Sequence, residues 1–237
     1  MRVNPKSAYV RAVRGLRHAA DRTGSLSAME TSGRPWVRHL RTLLAIYDVE
    51  DQASLDIPWW TYQAIREVEA FLATRRDCRV FEYGSGASTL WLSRRAQFVH
   101  SVEHDRDFAR RMRGLLDGVH NVALHEVAAR PSSGHQHAVT SGRSDQRGLD
   151  FAEYVETIDR VGGRFDLVVV DGRARVACLH RALPRLTAGG MVLFDDARRR
   201  RYRSAWKVDG AEISLLAGAK PCVPYRAVTA VARVTGR

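Results

Sequence analysis

The chain has 237 residues, of which 45% are hydrophobic and 27% are charged. These proportions are ordinary for a globular protein and exclude the low-hydrophobicity, high-charge balance of a disordered chain. A chain of this length suits one α/β domain with an N-terminal extension better than two independent domains.

The formal net charge is +12, and nearly all of the basic residues are arginines, because lysine occurs only at Lys6, Lys207 and Lys220. Clustered basic side chains neutralise phosphates, so nucleic acid is one candidate partner. An arginine excess is equally consistent with a compositional bias. Nucleic acid is therefore kept as an alternative partner and is not favoured.

Three cysteines, Cys78, Cys178 and Cys222, lack the spacing of metal ligands and predict buried, reduced thiols. No segment approaches the roughly 20 apolar residues that cross a bilayer. The N-terminus also lacks the apolar core of a secretory signal. These features predict a cytoplasmic protein without a transmembrane segment.

The first part of the chain, residues 1–77, is predicted to be an N-terminal arm and helical extension. Residues 1–35 end in a Ser-Gly-Arg-Pro turn signal and indicate a loosely attached arm. Within this arm, residues 9–22 have the pattern of a basic amphipathic helix. Apolar residues then recur at helical spacing over residues 36–47 and 59–72, which predicts two helices before the main domain.

Residues 78–237 are predicted to form the main domain. Short apolar runs alternate there with helical stretches, which is typical of a parallel sheet with crossover helices. The polar segment 129–149 is a candidate lid. Two late strands are expected to form an antiparallel pair. The predicted strands cover residues 80–82, 98–102, 122–127, 165–170, 191–194, 212–216 and 227–234.

A glycine-rich turn follows the first of these strands. Its sequence is Glu82-Tyr83-Gly84-Ser85-Gly86-Ala87-Ser88, and it runs into a helical stretch. Glycines are needed where the backbone passes close to a ligand, and a helix N-terminus offers free N–H groups. The second strand ends in Glu103, about 20 positions later, where an acid accepts hydrogen bonds from the ribose of an adenosine cofactor.

The details of this turn favour S-adenosylmethionine (SAM) over a dinucleotide. Thr89 stands where the pyrophosphate fingerprint requires a third Gly or Ala. SAM carries an ammonium and a sulfonium instead of phosphates, so an acid at Glu82 suits it electrostatically. The turn resembles motif I of the class I SAM-dependent methyltransferases. The resemblance to this family covers roughly residues 78–235.

This resemblance implies an α/β fold: a Rossmann-like, seven-stranded, mostly parallel sheet with helices on both faces, plus the N-terminal helical extension. It also implies SAM as the cofactor. The methionine end of SAM is expected at the glycine-rich turn, its ribose at Glu103 and its adenine near His104. The expected cofactor-binding residues are Glu82, Gly84, Ser85, Gly86, Ser88, Glu103 and His104.

Aspartates follow the next two strands, Asp171 after the fourth and Asp195 and Asp196 after the fifth. Ligands of open parallel sheets bind at the carboxyl ends of the strands, so the three side chains are expected to converge. They resemble the metal set of catechol-type and macrolide-sugar O-methyltransferases, which implies bound Mg²⁺. The alternative is structural, with Asp195 capping a helix and Asp196 paired with a following arginine.

The catalytic base is left open by the sequence. Catechol-type enzymes have a lysine three positions after the first metal aspartate, whereas Ala174 stands there in this chain. The candidates are Asp171, His135 and His137.

The sequence Glu-Tyr-Gly-Ser-Gly-Ala-Ser-Thr is also similar to that of the plant glucuronoxylan O-methyltransferase family. This similarity implies transfer of a methyl group to a hydroxyl of a sugar, a glycan or another small molecule. The alternatives are an RNA or DNA methyltransferase, or a non-catalytic, arginine-rich nucleic-acid-binding member of the fold. A homo-oligomer is left open.

Overall fold

The computed structural model describes residues 5–132, 138–206 and 210–234. The strands are β1 (Arg79–Tyr83), β2 (Phe98–Glu103), β3 (Val122–Glu126), β4 (Arg130–Pro131), β5 (Leu149–Asp150), β6 (Phe165–Val170), β7 (Leu186–Phe194), β8 (Ala211–Ala219) and β9 (Arg226–Val234). Seven of them form one sheet in the order β3-β2-β1-β6-β7-β9-β8, while β4 and β5 form a small separate pair.

Helices precede the sheet and connect its strands. The α-helices are α1 (Pro5–Arg22), α2 (Ser25–Glu30), α3 (Pro35–Leu43), α4 (Val49–Ser54), α5 (Tyr62–Ala73), α6 (Ala87–Ser93), α7 (Arg106–Leu115), α8 (Ala152–Val155), α9 (Thr157–Val161) and α10 (Arg175–Ala182). Short 3-10 segments cover Ser144–Gln146, Leu183–Arg185 and Arg200–Trp206. Among the described residues, no helix is long and apolar enough to cross a membrane.

The second half of the central strand β6 is a continuous apolar run because both faces of the sheet are covered. In β6, Val168 and Val170 pack in the core cluster on one face, whereas Leu167 and Val169 pack in the cluster on the other face. Successive side chains of a strand point to opposite faces, so a strand that is buried on both sides has no polar alternation. This arrangement confirms the predicted Rossmann-like sheet.

The late strands complete the sheet in an antiparallel manner. β9 lies between β7 and β8 and runs antiparallel to both, whereas the other neighbouring strands of this sheet are parallel. The predicted antiparallel pair is therefore confirmed. After β3 the chain crosses from one side of β1 to β6 on the other side, which creates a switch point between β1 and β6, where α/β proteins place their ligands.

From residue 5 onward the N-terminal arm is largely helical and is attached to the rest of the chain, which corrects the expectation of a loose arm. Val13 of α1 is buried with Ile46 and Val223, and Arg17 of the same helix pairs with Asp48. The physical reason is that the basic face of α1 meets acids at the start of α4. The last helix of the extension, α5, packs directly in the core beneath the sheet.

The candidate lid, residues 129–149, is partly ordered by the pairing of β4 with β5. The Val139 N–H donates to the Asp150 carboxylate at 2.9 Å, and the Phe151 N–H donates to the Val139 carbonyl at 2.8 Å. These bonds attach Val139 to the last residue of β5 and to the residue that follows it. The candidate bases His135 and His137 lie outside the described residues.

Candidate active site

A cavity of about 1660 Å³ opens at the carboxyl ends of the parallel strands. It brings together the turn after β1, the end of β2, the ends of β6 and β7, and parts of the N-terminal extension. Of the residues predicted from the sequence, those that line it are Gly84, Ser85, Gly86, Ser88, Glu103, His104, Asp171, Asp195 and Asp196. The topology therefore places nearly all of the predicted site residues at one location.

The turn after β1 is held by backbone and hydroxyl contacts. Gly84 has a φ of +95°, in the left-handed region that favours glycine, and its N–H donates to the Val102 carbonyl at 2.9 Å. The Gly86 N–H bonds to the Thr89 hydroxyl at 3.0 Å. The turn is consequently fixed from both the β2 side and the α6 side.

Glu82 lies beneath this turn and does not line the cavity. Its side chain is fully buried and accepts hydrogen bonds from the hydroxyls of Ser88 (2.5 Å), Thr89 (2.5 Å) and Ser101 (2.7 Å). Burial raises the pKa of Glu82 to about 7, although these hydroxyls act in the opposite direction. The structure thus differs from the predicted direct contact with a cofactor, because Glu82 is used to hold the turn from behind.

Glu103 ends β2 at the wall of the cavity, with 4% of the residue exposed. Its Oε1 accepts hydrogen bonds from the backbone N–H groups of His104 at 2.7 Å and Asp105 at 2.8 Å. These bonds fix the orientation of the carboxylate. Within the described part of the chain, no hydrogen bond is made to the other oxygen, Oε2, which remains able to accept one from a ligand.

The three aspartates meet two buried cations. Asp195 is 1% exposed, and its Oδ1 and Oδ2 accept from the Thr229 hydroxyl at 2.8 Å and from Lys220 Nζ at 2.5 Å. Asp196 lies 3.6 Å from the same Nζ. Asp171 Oδ1 lies 2.7 Å from Arg175 Nη2. The acids therefore converge as expected, but each of them faces a cation of the same chain.

Burial and charge act against each other in this cluster. Burial raises the pKa of Asp171 to about 7, and Arg175 opposes this rise. Burial alone would lower the pKa of Lys220, but attraction by Asp195, Asp171 and Asp196 raises it above its ordinary value. Burial also raises the pKa of Asp196, but Lys220 and Arg175 outweigh this effect and hold that pKa below its ordinary value. Lys220 is consequently held as an ammonium ion.

These residues do not fit the predicted magnesium site. Over residues 5–132, 138–206 and 210–234, no group of three or more His, Cys, Asp or Glu side chains is arranged to hold a metal ion. A divalent cation requires several free oxygen ligands around one point. Both oxygens of Asp195 are already used by Thr229 and Lys220, and Asp196 faces both Arg199 and Lys220.

Sequence reasoning did not find two further residues of the site, Lys220 and Arg175. Lys220 follows β8, far along the chain from the aspartates, and the only available signal was the rarity of lysine in this arginine-rich chain. Arg175 stands four positions after Asp171 and is the first residue of α10, so the pair spans the turn before the helix and has no helical spacing by which the sequence would reveal it.

A family model described as a methyltransferase domain matches residues 81–197, which include the turn after β1, Glu103 and all three aspartates. None of the curated proteins matches the chain. Several solved structures are similar to it in fold.

The O-methyltransferase from Bacillus cereus, solved with S-adenosylhomocysteine (SAH), is 15% identical over 82% of this chain and 90% of its own, with a TM-score of 0.57. The O-methyltransferase TomG from Streptomyces achromogenes, solved with SAM, is 22% identical over 78% of this chain and 87% of its own, with a TM-score of 0.54. Cofactor-bound Rv0187 from MTB is 20% identical over 84% and 91% of the two chains, with a TM-score of 0.57.

Proposed function

Since the chain belongs to the class I SAM-dependent methyltransferases, we propose that it methylates a hydroxyl oxygen of a sugar, a glycan or another small molecule. The observation that carries this proposal is the meeting of Glu103 and Asp171 in one cavity beside the turn after β1. We assign Glu103 to the cofactor and Asp171 to the acceptor. The similarity to O-methyltransferases supports the choice of oxygen as the methylated atom.

The cofactor end of the cavity consists of the turn after β1 and the end of β2. Gly84 and Gly86 allow the backbone to approach the methionine part of SAM closely. Glu103 Oε2 would accept hydrogen bonds from the ribose, and His104 would lie beside the adenine. Ser88 already donates its hydroxyl to Glu82, so its contribution would come from its backbone N–H. Glu82 is a positioning residue in this scheme.

The acceptor end of the cavity is lined by Asp171 and by aromatic residues of the extension, Tyr9, Tyr47 and Trp59. We assign the extension, residues 1–77, to covering the acceptor, and residues 78–237 to the methyltransferase domain proper. Flat aromatic side chains suit the apolar face of a sugar or another ring. The acceptor would thus be held between the extension and the ends of β6 and β7.

When SAM is bound, it supplies an electrophilic methyl group, and the protein must provide alignment and a nucleophilic oxygen. We assign to Asp171 the role of taking the proton of the acceptor hydroxyl. Its pKa near 7 matches the requirement of a general base that works at neutral pH. Arg175 orients this carboxylate through its contact with Oδ1.

Calorimetric titration with SAM and SAH tests this proposal first. We expect both ligands to bind with one site per chain. A screen of sugar and phenol hydroxyls, followed by mass spectrometry for a gain of one methyl group, then identifies the acceptor. Absence of binding by either ligand would refute the proposed function, and nitrogen methylation of the acceptor would refute the choice of oxygen.

The alternative of an RNA or DNA acceptor is tested by salt dependence. Much of the arginine charge is neutralised within the chain, for example in the pairs Arg95 with Asp56 and Arg185 with Asp159. A nucleic-acid enzyme would bind RNA or DNA with an affinity that falls steeply as salt rises. We expect weak binding to a mixed RNA oligonucleotide at physiological salt.

A further inference from the structure

Lys220 stands where the resemblance to metal-dependent enzymes would place a divalent cation. It follows β8 directly, and its side chain is 8% exposed. From this position it reaches across to the end of β7, with Nζ 2.5 Å from Asp195 Oδ2 and 3.6 Å from Asp196 Oδ1. The long side chain of Lys220 thus places one positive charge beside two consecutive acids at the end of β7.

The remaining contacts of the acids leave little capacity for a metal ion. Asp195 Oδ1 accepts from the Thr229 hydroxyl, so both of its oxygens have partners. Asp171 is engaged by Arg175, and Asp196 is also in contact with Arg199. A Mg²⁺ ion at this point would have to displace Lys220 and would then lie beside an ammonium ion, which repels it.

The surroundings of Lys220 indicate that its position is specific. The Nζ atom lies 5.7 Å from the centre of the Trp59 ring, a distance at which an aromatic face attracts a cation. Trp59 belongs to the N-terminal extension, whereas Thr229 belongs to β9. The ammonium group of Lys220 is therefore held by contacts with an aromatic ring of the extension and with two acids after β7.

We propose that the ammonium group of Lys220 takes the place of the divalent cation in this methyltransferase, so that its active site works without a bound metal. Lys220 is then a positioning residue, which neutralises Asp195 and Asp196 and holds them at the acceptor end of the cavity. This inference rests on the proposed function, because it concerns the acceptor end of the same site.

The wild-type protein provides the first test, through titration with Mn²⁺ followed by electron paramagnetic resonance. SAH binding is measured by calorimetry in excess EDTA and in excess MgCl₂. We expect no Mn²⁺ site that depends on Asp195 and the same SAH affinity in both solutions. One tightly bound Mn²⁺ that is lost in Asp195→Asn would overturn the inference. Failure of SAH to bind under either condition would instead refute the proposed function.

Variants of Lys220 provide the second test. Lys220→Ala removes the ammonium and exposes the aspartates, and we expect this variant to gain a Mn²⁺ site that the double variant Lys220→Ala/Asp195→Asn lacks. Lys220→Arg keeps the charge and should gain no Mn²⁺ site. Arg198→Ala, which removes an exposed cation nearby, controls for a general loss of positive charge.

A folded Lys220→Ala protein that binds no Mn²⁺ would also overturn the inference. Its fold is checked by circular dichroism and by SAH binding. If Lys220→Ala does not fold, the wild-type titration decides the question on its own. Once an acceptor is known, the methylation rate of the wild-type protein should be unaffected by EDTA, and loss of the rate in EDTA would contradict the proposal.

Discussion

Gly84 in the turn after β1 lies directly against Gly172 in the turn after β6, so that a Cβ atom added to Gly84 would be 2.5 Å from the Gly172 Cα. A Cβ added to Gly172 would in turn be 2.0 Å from the Tyr154 hydroxyl. The two turns can approach each other only because neither residue has a side chain. This contact joins the proposed cofactor end of the cavity to the proposed acceptor end.

The variant Gly84→Ala is therefore expected to lose both stability and SAH affinity. The left-handed φ of +95° costs about 1–3 kcal/mol for a residue with a side chain. The clash with Gly172 adds to this cost and displaces the turn. Gly118→Ala is the matched control, because Gly118 also has a positive φ, +75°, but has nothing within 4 Å of an added Cβ. Urea unfolding measures the loss of stability, and calorimetry measures the loss of SAH affinity. Equal losses in Gly84→Ala and Gly118→Ala would show that the close contact with Gly172 does not matter for either property.

Glu103→Ala should weaken SAH binding by about 1.5–3 kcal/mol, the range for hydrogen bonds that involve a charged group. Glu126→Ala is the control, because Glu126 ends β3 and is the register neighbour of Glu103. It does not line the cavity, so its loss should leave SAH affinity unchanged. Calorimetry on both variants provides the comparison, with thermal unfolding to confirm the fold. Unchanged affinity in Glu103→Ala would remove Glu103 from the proposed cofactor site.

The parts of the site that the sequence revealed are those that depend on local pattern and on topology. The apolar strand before Gly84 and the acid at the end of β2 are local features. The convergence of Asp171 with Asp195 follows from the parallel sheet, since the carboxyl ends of adjacent parallel strands lie at the same edge.

The parts that the sequence did not reveal depend on contacts between distant segments. Lys220 reaches Asp195 because β9 inserts between β7 and β8, and no local pattern specifies that insertion. The attachment of α1 likewise depends on ion pairs across the extension. The burial of Glu82 was not predicted either, although it depends on neighbours in the chain: the hydroxyls of Ser88 and Thr89, at the start of α6, reach back beneath the turn.

Asp171→Asn should reduce the turnover rate by roughly 10²-fold to 10⁴-fold, the usual contribution of a general base. The amide cannot accept the proton of the acceptor hydroxyl, but its shape is nearly the same. SAH affinity should therefore change little. Asp145→Asn serves as the control, because Asp145 also lines the cavity but is engaged by Arg143 at its edge. Methylation of the acceptor found by screening provides the rate, and full activity of Asp171→Asn would exclude it as the base.

Arg41→Met tests the attachment of the N-terminal extension. The Arg41 guanidinium makes two hydrogen bonds to Asp51, at 2.9 and 2.5 Å, and both side chains are 4% exposed. Removal of one partner of a buried ion pair costs about 3–5 kcal/mol. The control is Arg38→Met, on the exposed face of the same helix, which should cost far less.

The double variant Arg41→Met/Asp51→Leu should recover part of the stability lost in Arg41→Met, because it leaves no unpaired buried charge. Urea unfolding measures all three variants. A loss in Arg41→Met no greater than that in Arg38→Met would show that the pair does not hold the extension in place.

The buried carboxyl of Glu82 has a consequence for the pH dependence of stability. Its pKa of about 7 in the folded protein lies above the value of about 4.3 for an exposed glutamate. Between these two values the folded state binds more protons than the unfolded state at this residue. The free energy of unfolding therefore falls as the pH rises through this window, by at most about 1.4 kcal/mol per pH unit.

Glu82→Gln should remove this dependence, because the amide remains neutral at every pH. Relative to the variant, the wild-type protein is expected to be most stable near pH 4.5 and to lose that advantage progressively as the pH rises to 7. Urea unfolding of both proteins across this range measures the difference between their free energies of unfolding. The titration of the other groups cancels in this difference. Glu69→Gln is the control, because the Glu69 side chain is 54% exposed and its replacement removes a carboxyl group from the surface and not from the core. Parallel stability curves for wild type and Glu82→Gln would mean that Glu82 is ionised in the folded protein, with its three hydroxyl donors outweighing the cost of burial.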